Sequence, residues 1–574
     1  MTDQAEPAQG PGASGPGPDG AGFTYRGAER ELIVVARPEA RLRAGAEGVR
    51  SVAGADVTAL NMFLGDEQLA LEPLFGGEER LQQATGAQDV PDLALFYRVR
   101  GGESRAEELR ARMAALPGID TAYVKPGAVP AALGGVEEDS GRLKEGAPLT
   151  PDYSGRQGYL RPAPEGVDVY WAWQRPGGTG QGVTVIDVEG SWQLGHENLA
   201  GKLAGVVAGT PLTDLAWRNH GTAVIGVIGG DRNDHGIAGI APDTVTAAAS
   251  FHGLGTAAAI HAAAERLAPG DILLIGLHRP GPRLEYAGRD DQRGYLALEW
   301  WPDDFAAVRH ATAKGVLVVA AAGNGAESLD DAVYERRPDE FPQWWRNPFN
   351  PSNPSSGAVL VGAGAPPPGT HGRDHGPDRS RLAFSNYGAR VDAQGWGREV
   401  TTTGGFWDRP GDLQGGPEEI AWYTDTFSGT SAASPVVAGA LAALQGMLKA
   451  TGRPPMSPER ARAVLRATGS PQQDAPGRPA SQRIGNRPDI KAAVTYLVPQ
   501  SVGCGAAERY WDELLPYPRE LPPRLRLLVA GEWRSLNHPS PEIRQAVHTA
   551  FAGGRPDVRV WFSDDEIVGL VITG

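Results

Sequence analysis

Four polar residues lie where apolar segments of the chain begin or end. Ser431 precedes the small, apolar run of "TFSGTSAASPVVAGALAAL", and His220 precedes the run of "HGTAVIGVIGG". Asp187 lies at the end of "GVTVIDV", and Asn324 follows "GVLVVAAAG". A hydroxyl, an imidazole, a carboxylate and an amide are the side chains that acyl transfer to a serine requires.

Each of these four residues has a predicted role in that chemistry. Ser431 is a poor nucleophile until a base removes its proton, and His220 is the candidate base. The carboxylate of Asp187 would fix the tautomer of His220 and stabilise its charged form. The amide of Asn324 and the backbone N–H of Ser431, at a helix N-terminus, would bind the oxyanion.

The elements that would position these residues form a parallel α/β fold. Short, fully apolar runs such as "GVTVIDV", "DILLIGL" and "GVLVVAAAG" alternate with helical segments. Continuous apolar strands that alternate with helices are typical of a parallel sheet covered on both faces. Functional groups gather at the carboxyl ends of such strands, where Asp187 and Asn324 lie.

The order of the four residues and their surroundings resemble the subtilisin-like serine peptidases. The strings that carry the resemblance are "NHGTAVIGVI", "GIAGIAP", "VVAAAGN" and "FSGTSAASPVVAGALAAL", within residues 165 to 495. The resemblance implies a three-layer fold with a mostly parallel sheet and a serine endopeptidase that needs no cofactor for its chemistry. Its substrates would be proteins or peptides. The alternative is a catalytically idle peptide-binding protein of the same fold.

Changes in composition divide the chain into five parts. The first is a Gly/Pro/Ala-rich leader without periodicity, expected to be disordered. A small α+β domain, an exposed linker rich in Gly, Pro and charge, the peptidase domain and a small α/β or α+β C-terminal domain follow. The predicted bounds are 1–22, 23–128, 129–150, 151–497 and 498–574.

The resemblance also gives the N-terminal domain an expected role. Many secreted subtilisins begin with a small α+β propeptide whose tail lies in the active-site cleft until it is cut. Residues 23 to 128 have that size and placement, so they are expected to act as an intramolecular inhibitor. The alternative is an ordinary accessory domain.

The residues expected to contact substrate agree only in part with the family. Ala321, Ala322 and Gly323 match one wall of the specificity pocket. On the other wall, "LIGLHRPGP" has His278 and Arg279 where small residues are expected. Glu189 replaces a usual glycine. It could meet a basic substrate side chain or be a solvated or ion-paired surface residue.

A structural calcium site is a further expectation from the resemblance. The loop "GGDRNDHGIAGIAP" has the family's length, and oxygen ligands of this kind suit Ca²⁺. Asn198 stands where an aspartate would normally contribute charge. The candidate ligands are the side chain of Asn233 and the carbonyl oxygens of Asp231, His235 and Ile237.

Composition argues against several other classes of protein and site. The formal net charge is −15 and no basic stripe is present, so nucleic acid is not an expected partner. The best apolar candidate for a membrane span, Val436 to Leu448, is too short. The single cysteine, Cys504, excludes an internal disulfide and a cysteine metal cluster, and its side chain is expected to be buried. No signal peptide is evident, so a cytoplasmic location is expected, or secretion if the start is misassigned.

Overall fold

The structure is a computed structural model that divides the chain into two compact units, residues 1–491 and 492–574. The sequence predicts this boundary slightly later, between residues 497 and 498. The predicted leader, 1–22, and most of the predicted linker, 134–149, lie outside the described residues. The described residues are 29–77, 91–133, 150–201, 203–497, 503–513, 524–537, 539–553, 557–563 and 566–573.

The N-terminal region, residues 29 to 133, contains strands β1 to β6 and helices α1 and α2. Their bounds are β1 Glu31–Ala36, β2 Leu42–Gly45, β3 Gly48–Ser51, α1 Thr58–Asp66, β4 Ala70–Pro73, β5 Phe96–Arg100, α2 Ala106–Ala114 and β6 Ile119–Lys125. Strands β4, β5, β1 and β6 form an antiparallel sheet in that order. Strands β2 and β3 form a hairpin.

Strand β1 is buried on both faces of this antiparallel sheet. Leu32 and Val34 pack in a core with residues of α1 and α2. Ile33 and Val35 belong to a second core, which extends into the region from residue 150 to 491, here termed the central region. Burial on both faces explains why "LIVVA", after Glu31, is apolar throughout and does not alternate with polar residues.

A seven-stranded, fully parallel sheet forms the middle layer of the central region. Its strands are β8 Thr184–Glu189, β9 Leu203–Ala208, β10 Val245–Ser250, β11 Ile272–Ile275, β14 Leu317–Ala321, β15 Val359–Gly364 and β16 Ala393–Trp396. They lie in the order β16-β15-β14-β11-β8-β10-β9. After β8 the chain first adds β9 and β10 on one side of this strand and then adds β11 and the later strands on the other side. The carboxyl end of β8 therefore lies at the topological switch point, where α/β proteins bind ligands.

Helices cover both faces of this sheet, which confirms the predicted three-layer fold. Helix α3 is Val169–Ala172. The helices that pack on the sheet are α4 Leu215–Gly229, α5 Thr256–Ala264, α6 Pro302–Ala313, α7 Thr430–Ala450 and α8 Pro458–Ala467. Helix α9, Ile490–Leu497, crosses the boundary between the two units. Ile186 and Val188 of β8 share a core with α5 and α6. Because side chains alternate along a strand, Val185 and Asp187 face the opposite side, where α4 and α7 pack together.

Two small antiparallel sheets flank the main sheet. Strands β7 Val129–Pro130, β12 Leu277–Pro280 and β13 Tyr295–Ala297 pair in the order β13-β12-β7, and β17 Val400–Thr403 pairs with β18 Tyr423–Phe427. The expectation that residues 129 to 133 begin an exposed linker is therefore wrong. They are buried or half-buried, because small and apolar side chains let this segment lie flat along β12.

Helix α7 is longer than the predicted apolar stretch from Val436 to Leu448. Within the part of the chain that the structure describes, α7 is the one helix with the length and composition of a membrane span. Its whole apolar stretch is buried inside the protein, so its hydrophobicity serves the core of the central region.

In the described residues from 503 onward, the C-terminal unit forms a closed barrel against which one helix packs. Its elements are β19 Gly503–Asp512, β20 Arg524–Val529, β21 Glu532–Asn537, α10 Pro541–Ala552, β22 Asp557–Ser563 and β23 Glu566–Thr573. The barrel order is β19-β20-β21-β23-β22. Leu525, Leu527 and Val529 alternate into its core, together with Val547 of α10. Cys504 on β19 is exposed, so the expectation of burial is wrong.

Candidate active site

Ser431 lies in the first turn of α7 and His220 in the second turn of α4, and these two buried helices pack together. The chain enters α7 through Gly429, whose φ of 111° is unfavourable for other residues, and Ser431 is the second residue of the helix. Asp214 is the N-cap of α4, and its side chain accepts hydrogen bonds from two backbone N–H groups of the first turn. Gly221, beside the histidine, lets α4 approach Ser191 closely, since a Cβ there would lie 2.2 Å from the Ser191 carbonyl oxygen.

The packing of these helices places the serine hydroxyl against the imidazole. His220 Nε2 lies 2.9 Å from Ser431 Oγ, and both side chains are buried. The ring of His220 also packs edge-on against Phe427, at 5.4 Å between centroids. This geometry allows the imidazole to take the hydroxyl proton.

Two carboxylates, not one, lie at the carboxyl end of β8. Asp187 Oδ2 accepts a hydrogen bond of 2.7 Å from Trp192 Nε1. Glu189 Oε1 lies 3.3 Å from His220 Nδ1, and neither carboxylate has measurable exposure to solvent. Burial, and then the charge of Glu189, raises the pKa of Asp187 well above its usual value, against the opposing effect of Trp192. The sequence suggested an exposed or substrate-facing Glu189, and its burial corrects that expectation.

Asn324 follows β14 and is anchored to the start of α7. Its Oδ1 accepts hydrogen bonds from the backbone N–H (3.0 Å) and hydroxyl (2.9 Å) of Thr430. These bonds fix the orientation of the amide, so Nδ2 points away from Thr430 and donates to Gln292 Oε1 at 2.9 Å. Sequence reasoning did not identify Gln292. Its left-handed backbone, at φ 54°, lies in a loop with no recognisable motif.

A segment of the N-terminal region lies across Ser431 in extended form. Val129 and Pro130 pair with His278 and Leu277 of β12, and the N–H of Ala131 donates to Gly276 O at 2.9 Å. The carbonyl oxygen of Ala131 accepts from the backbone N–H of Ser431 at 3.0 Å and lies 2.8 Å from its Oγ. The peptide carbonyl of Ala131 is therefore placed against the candidate nucleophile.

The chain continues past Ser431 on the other side of the cleft. Ser428 Oγ donates to the carbonyl oxygen of Leu133 at 2.6 Å. Gly429 leaves the space for this passage, because a Cβ there would lie 2.1 Å from Ala131 O and 2.8 Å from the Cα of Ala132. The backbone is thus bound on both sides of the Ala131–Ala132 peptide bond.

The residues predicted to form one wall of the specificity pocket are buried beside Asn324. Ala321 ends β14, and the carbonyl oxygen of Ala322 accepts from Asn386 Nδ2 at 2.7 Å. The N–H of Gly323 donates to Thr430 Oγ1 at 3.2 Å. On the other wall, His278 Nδ1 accepts from the N–H of Asn324 at 3.2 Å. Burial, and then the charge of His220, lowers the pKa of His278 to about 3.

The candidate calcium ligands surround an amide nitrogen. Nδ2 of Asn198 lies 3.3 Å from Asp231 O, 3.4 Å from Asn233 Oδ1 and 3.5 Å from His235 O. Its Oδ1 accepts from the N–H of Ile237 at 2.8 Å, which fixes the orientation of the amide.

Three of the four predicted ligand oxygens therefore already face an N–H donor. Calcium requires six to eight oxygen ligands, several of them usually charged. The loop does not fit calcium, because Asn198 directs a neutral donor, and not a carboxylate, at the centre of the oxygens.

Comparisons with known proteins find similarity to serine peptidases, and the family match lies within the central region. Residues 207–486 match the model of the subtilase family, a range that includes His220, Asn324 and Ser431 and begins after β8. The chain is 31% identical over 319 residues to the thermophilic serine proteinase of Bacillus sp. (strain AK1), covering 52% of this chain and 61% of that protein. It is 27% identical over 306 residues to the intracellular serine protease of Paenibacillus polymyxa, covering 50% and 74%.

The chain therefore spans less than two thirds of the first of these relatives. Among solved structures, fervidolysin from Fervidobacterium pennivorans is 18% identical, with a TM-score of 0.49, over 86% of this chain and 64% of that one.

Proposed function

We propose that the chain is a serine endopeptidase of the subtilisin type that acts through an acyl-enzyme, since residues 207–486 match the subtilase family model. Ser431 is the nucleophile and His220 the base. Asp187 is the orienting carboxylate, and the amide of Asn324 and the N–H of Ser431 bind the oxyanion. Proteins or peptides are the substrates.

The position of the Ala131 carbonyl supports this proposal most directly. Ser431 Oγ would attack the carbonyl carbon of Ala131 while His220 Nε2 takes the hydroxyl proton. The bond from that carbon to the nitrogen of Ala132 breaks, and His220 returns the proton to the leaving amine. Water then hydrolyses the acyl-enzyme to regenerate Ser431. The chain would thereby cut itself between Ala131 and Ala132.

We also infer that the N-terminal region is an intramolecular inhibitor. Its β7 pairs antiparallel with β12 and its Ala131 carbonyl lies against Ser431, and buried charges also hold the region in place. Lys125 forms ion pairs with Asp303 and Asp304 of α6, and Arg279 of β12 pairs with Glu31 at 3.1 Å. These contacts keep a cut N-terminal region bound after hydrolysis.

One contact in the site favours the alternative, an idle peptide-binding protein. Asn324 Nδ2 is bonded to Gln292 and not to the Ala131 carbonyl oxygen, and Gln292 Nε2 in turn donates to Pro130 O at 3.3 Å. Hydrolysis requires Asn324 to exchange Gln292 for the oxyanion. A protein in which this exchange never occurs would bind the strand without cutting it.

Covalent labelling by a fluorophosphonate separates the two functions. This reagent reacts with a serine only when a base activates the hydroxyl. A peptidase is expected to incorporate one equivalent on Ser431, located by peptide mass spectrometry, and Ser431→Ala is expected to incorporate none. Equal absence of labelling in both proteins, together with an uncut wild-type chain, would support the peptide-binding alternative, because a peptidase shielded by its N-terminal region would still cut itself.

A further inference from the structure

Glu189 is a buried carboxylate to which the assigned roles give no function. Strand β8 continues through Glu189, so Asp187 and Glu189, two residues apart, face the same side of the sheet. That side faces α4 and therefore His220. Both oxygens of Glu189 and Oδ1 of Asp187 make no hydrogen bond among the described residues. A buried carboxylate without such bonds is costly, so its retention points to a functional role.

The surroundings of Glu189 hold its carboxylate against the imidazole. Oε1 lies 3.3 Å from His220 Nδ1, on the opposite side of the ring from Ser431. At Gly276 the backbone passes so close that a Cβ would lie 2.2 Å from Glu189 Oε1 and 3.5 Å from His220 Cε1. Gly276 thus leaves the space that the glutamate fills, and its carbonyl binds the N–H of Ala131.

Asp187 is engaged differently. Its Oδ2 accepts from the indole N–H of Trp192 at 2.7 Å, a bond that does not involve His220. Two buried carboxylates this close in sequence and on one face do not both ionise easily. Burial, and then the charge of Glu189, raises the pKa of Asp187, which favours the protonated form of Asp187.

We propose that Glu189 is the positioning residue that holds the Nδ1 proton of His220, with Asp187 supporting it from the Trp192 side. This inference rests on the proposed function and changes which carboxylate stabilises the imidazolium. As positive charge develops on the ring, Glu189 accepts a hydrogen bond from Nδ1–H and takes no proton. The hydroxyl proton of Ser431 goes to Nε2 alone. Apo catalytic hydrogen bonds are often long and shorten as charge develops, as the 3.3 Å contact would.

The test compares Glu189→Gln, Glu189→Asp and Asp187→Asn with the wild type and Ser431→Ala. The measurement is the rate of fluorophosphonate labelling of Ser431 in the purified full chain. Glu189→Gln is expected to slow labelling at least about 100-fold. Glu189→Asp, which keeps the carboxylate, should recover part of the rate. Asp187→Asn should lose much less than Glu189→Gln.

Partial rescue by Glu189→Asp distinguishes a positioning role from a structural one. Both variants of Glu189 alter a side chain that Gly276 closely approaches, but only Glu189→Asp keeps a carboxylate beside His220. A positioning role predicts faster labelling in Glu189→Asp than in Glu189→Gln at an equal folded fraction, measured by circular dichroism. A structural role predicts that labelling follows the folded fraction alone.

The inference is overturned if Glu189→Gln labels at the wild-type rate, or if Asp187→Asn loses more activity than Glu189→Gln. Should Glu189→Gln not fold, Asp187→Asn decides, because a sole orienting Asp187 predicts a loss of about 10⁴-fold. Ser431-dependent labelling of the wild type reports the proposed function separately. Its absence from a wild type that is also uncut overturns both proposals, whereas its presence with an unchanged labelling rate in Glu189→Gln overturns only this one.

Discussion

At the scale of single residues, the candidate site depends on which atom each polar group faces. Asn324 shows this most clearly, because Thr430 binds its oxygen and leaves its nitrogen directed toward the cleft. The sequence indicated His220 and Ser431, which the structure brings to 2.9 Å. It could not indicate Gln292 as the partner of Asn324, because that contact depends on a loop conformation and not on a motif.

Asn324→Ala is expected to lower kcat by about 10²–10³-fold, the loss that removing one oxyanion donor causes in related serine peptidases, with KM little changed. The amide acts on the developing charge of the transition state and not on the bound substrate. A suitable substrate is a Val-Pro-Ala peptide with a chromogenic leaving group, which copies residues 129–131. A loss of the same size in kcat/KM that arose from a higher KM, with kcat unchanged, would contradict the oxyanion role.

At the scale of elements, hydrophobic patterning identified the parallel strands and their helices. It did not identify the buried positions at which polar residues stand in place of apolar ones. The apolar run of β8 suggests an end at Val188, whereas the strand continues to Glu189 and buries its carboxylate. The alternation of Asp187, Val188 and Glu189 is the signal that could have revealed this. Likewise, the predicted calcium loop has the expected length, but Asn198 places an amide among its oxygens.

Asn198→Asp is expected to convert this loop into a calcium-dependent one. A carboxylate at this position would direct a charged oxygen toward Asp231 O, Asn233 Oδ1 and His235 O, which then favour a cation. The melting temperature of the variant should rise on addition of calcium and fall with a chelator. The wild type is the matched control, with a melting temperature that responds to neither. A wild type destabilised by the chelator would contradict the conclusion that the amide of Asn198 takes the place of a calcium ion.

At the scale of the whole molecule, the N-terminal region and the central region share one core and one network of buried charges. Burial lowers the pKa of Lys125, but the charges of Asp303 and Asp304 outweigh that effect and raise it. Burial raises the pKa of Asp303 to about 6. Sequence composition indicated a small α+β domain, but the partners of Lys125 lie about 180 residues away and no local pattern reports them.

Lys125→Met in the Ser431→Ala background should destabilise the docked N-terminal region. It leaves Asp303 and Asp304 buried without their ammonium partner, a loss of about 3–5 kcal/mol. Arg105→Met is the matched control, because Arg105 also pairs with two carboxylates, Glu67 and Glu108, but is half-exposed. Its expected cost is much smaller, because exposed ion pairs contribute little to stability. Urea unfolding of both variants measures the difference, and equal midpoints would contradict a role of the buried network in docking.

The most direct test of the account is where the chain is cut, and by which residue. Intact mass and N-terminal sequencing of the purified wild type and Ser431→Ala answer both questions. We expect the wild type to yield a new N-terminus at Ala132 and Ser431→Ala to remain uncut, because the Ala131 carbonyl lies on Ser431. Two full-length proteins, or a cut at Ala132 that persists in Ser431→Ala, would contradict self-cleavage by this site.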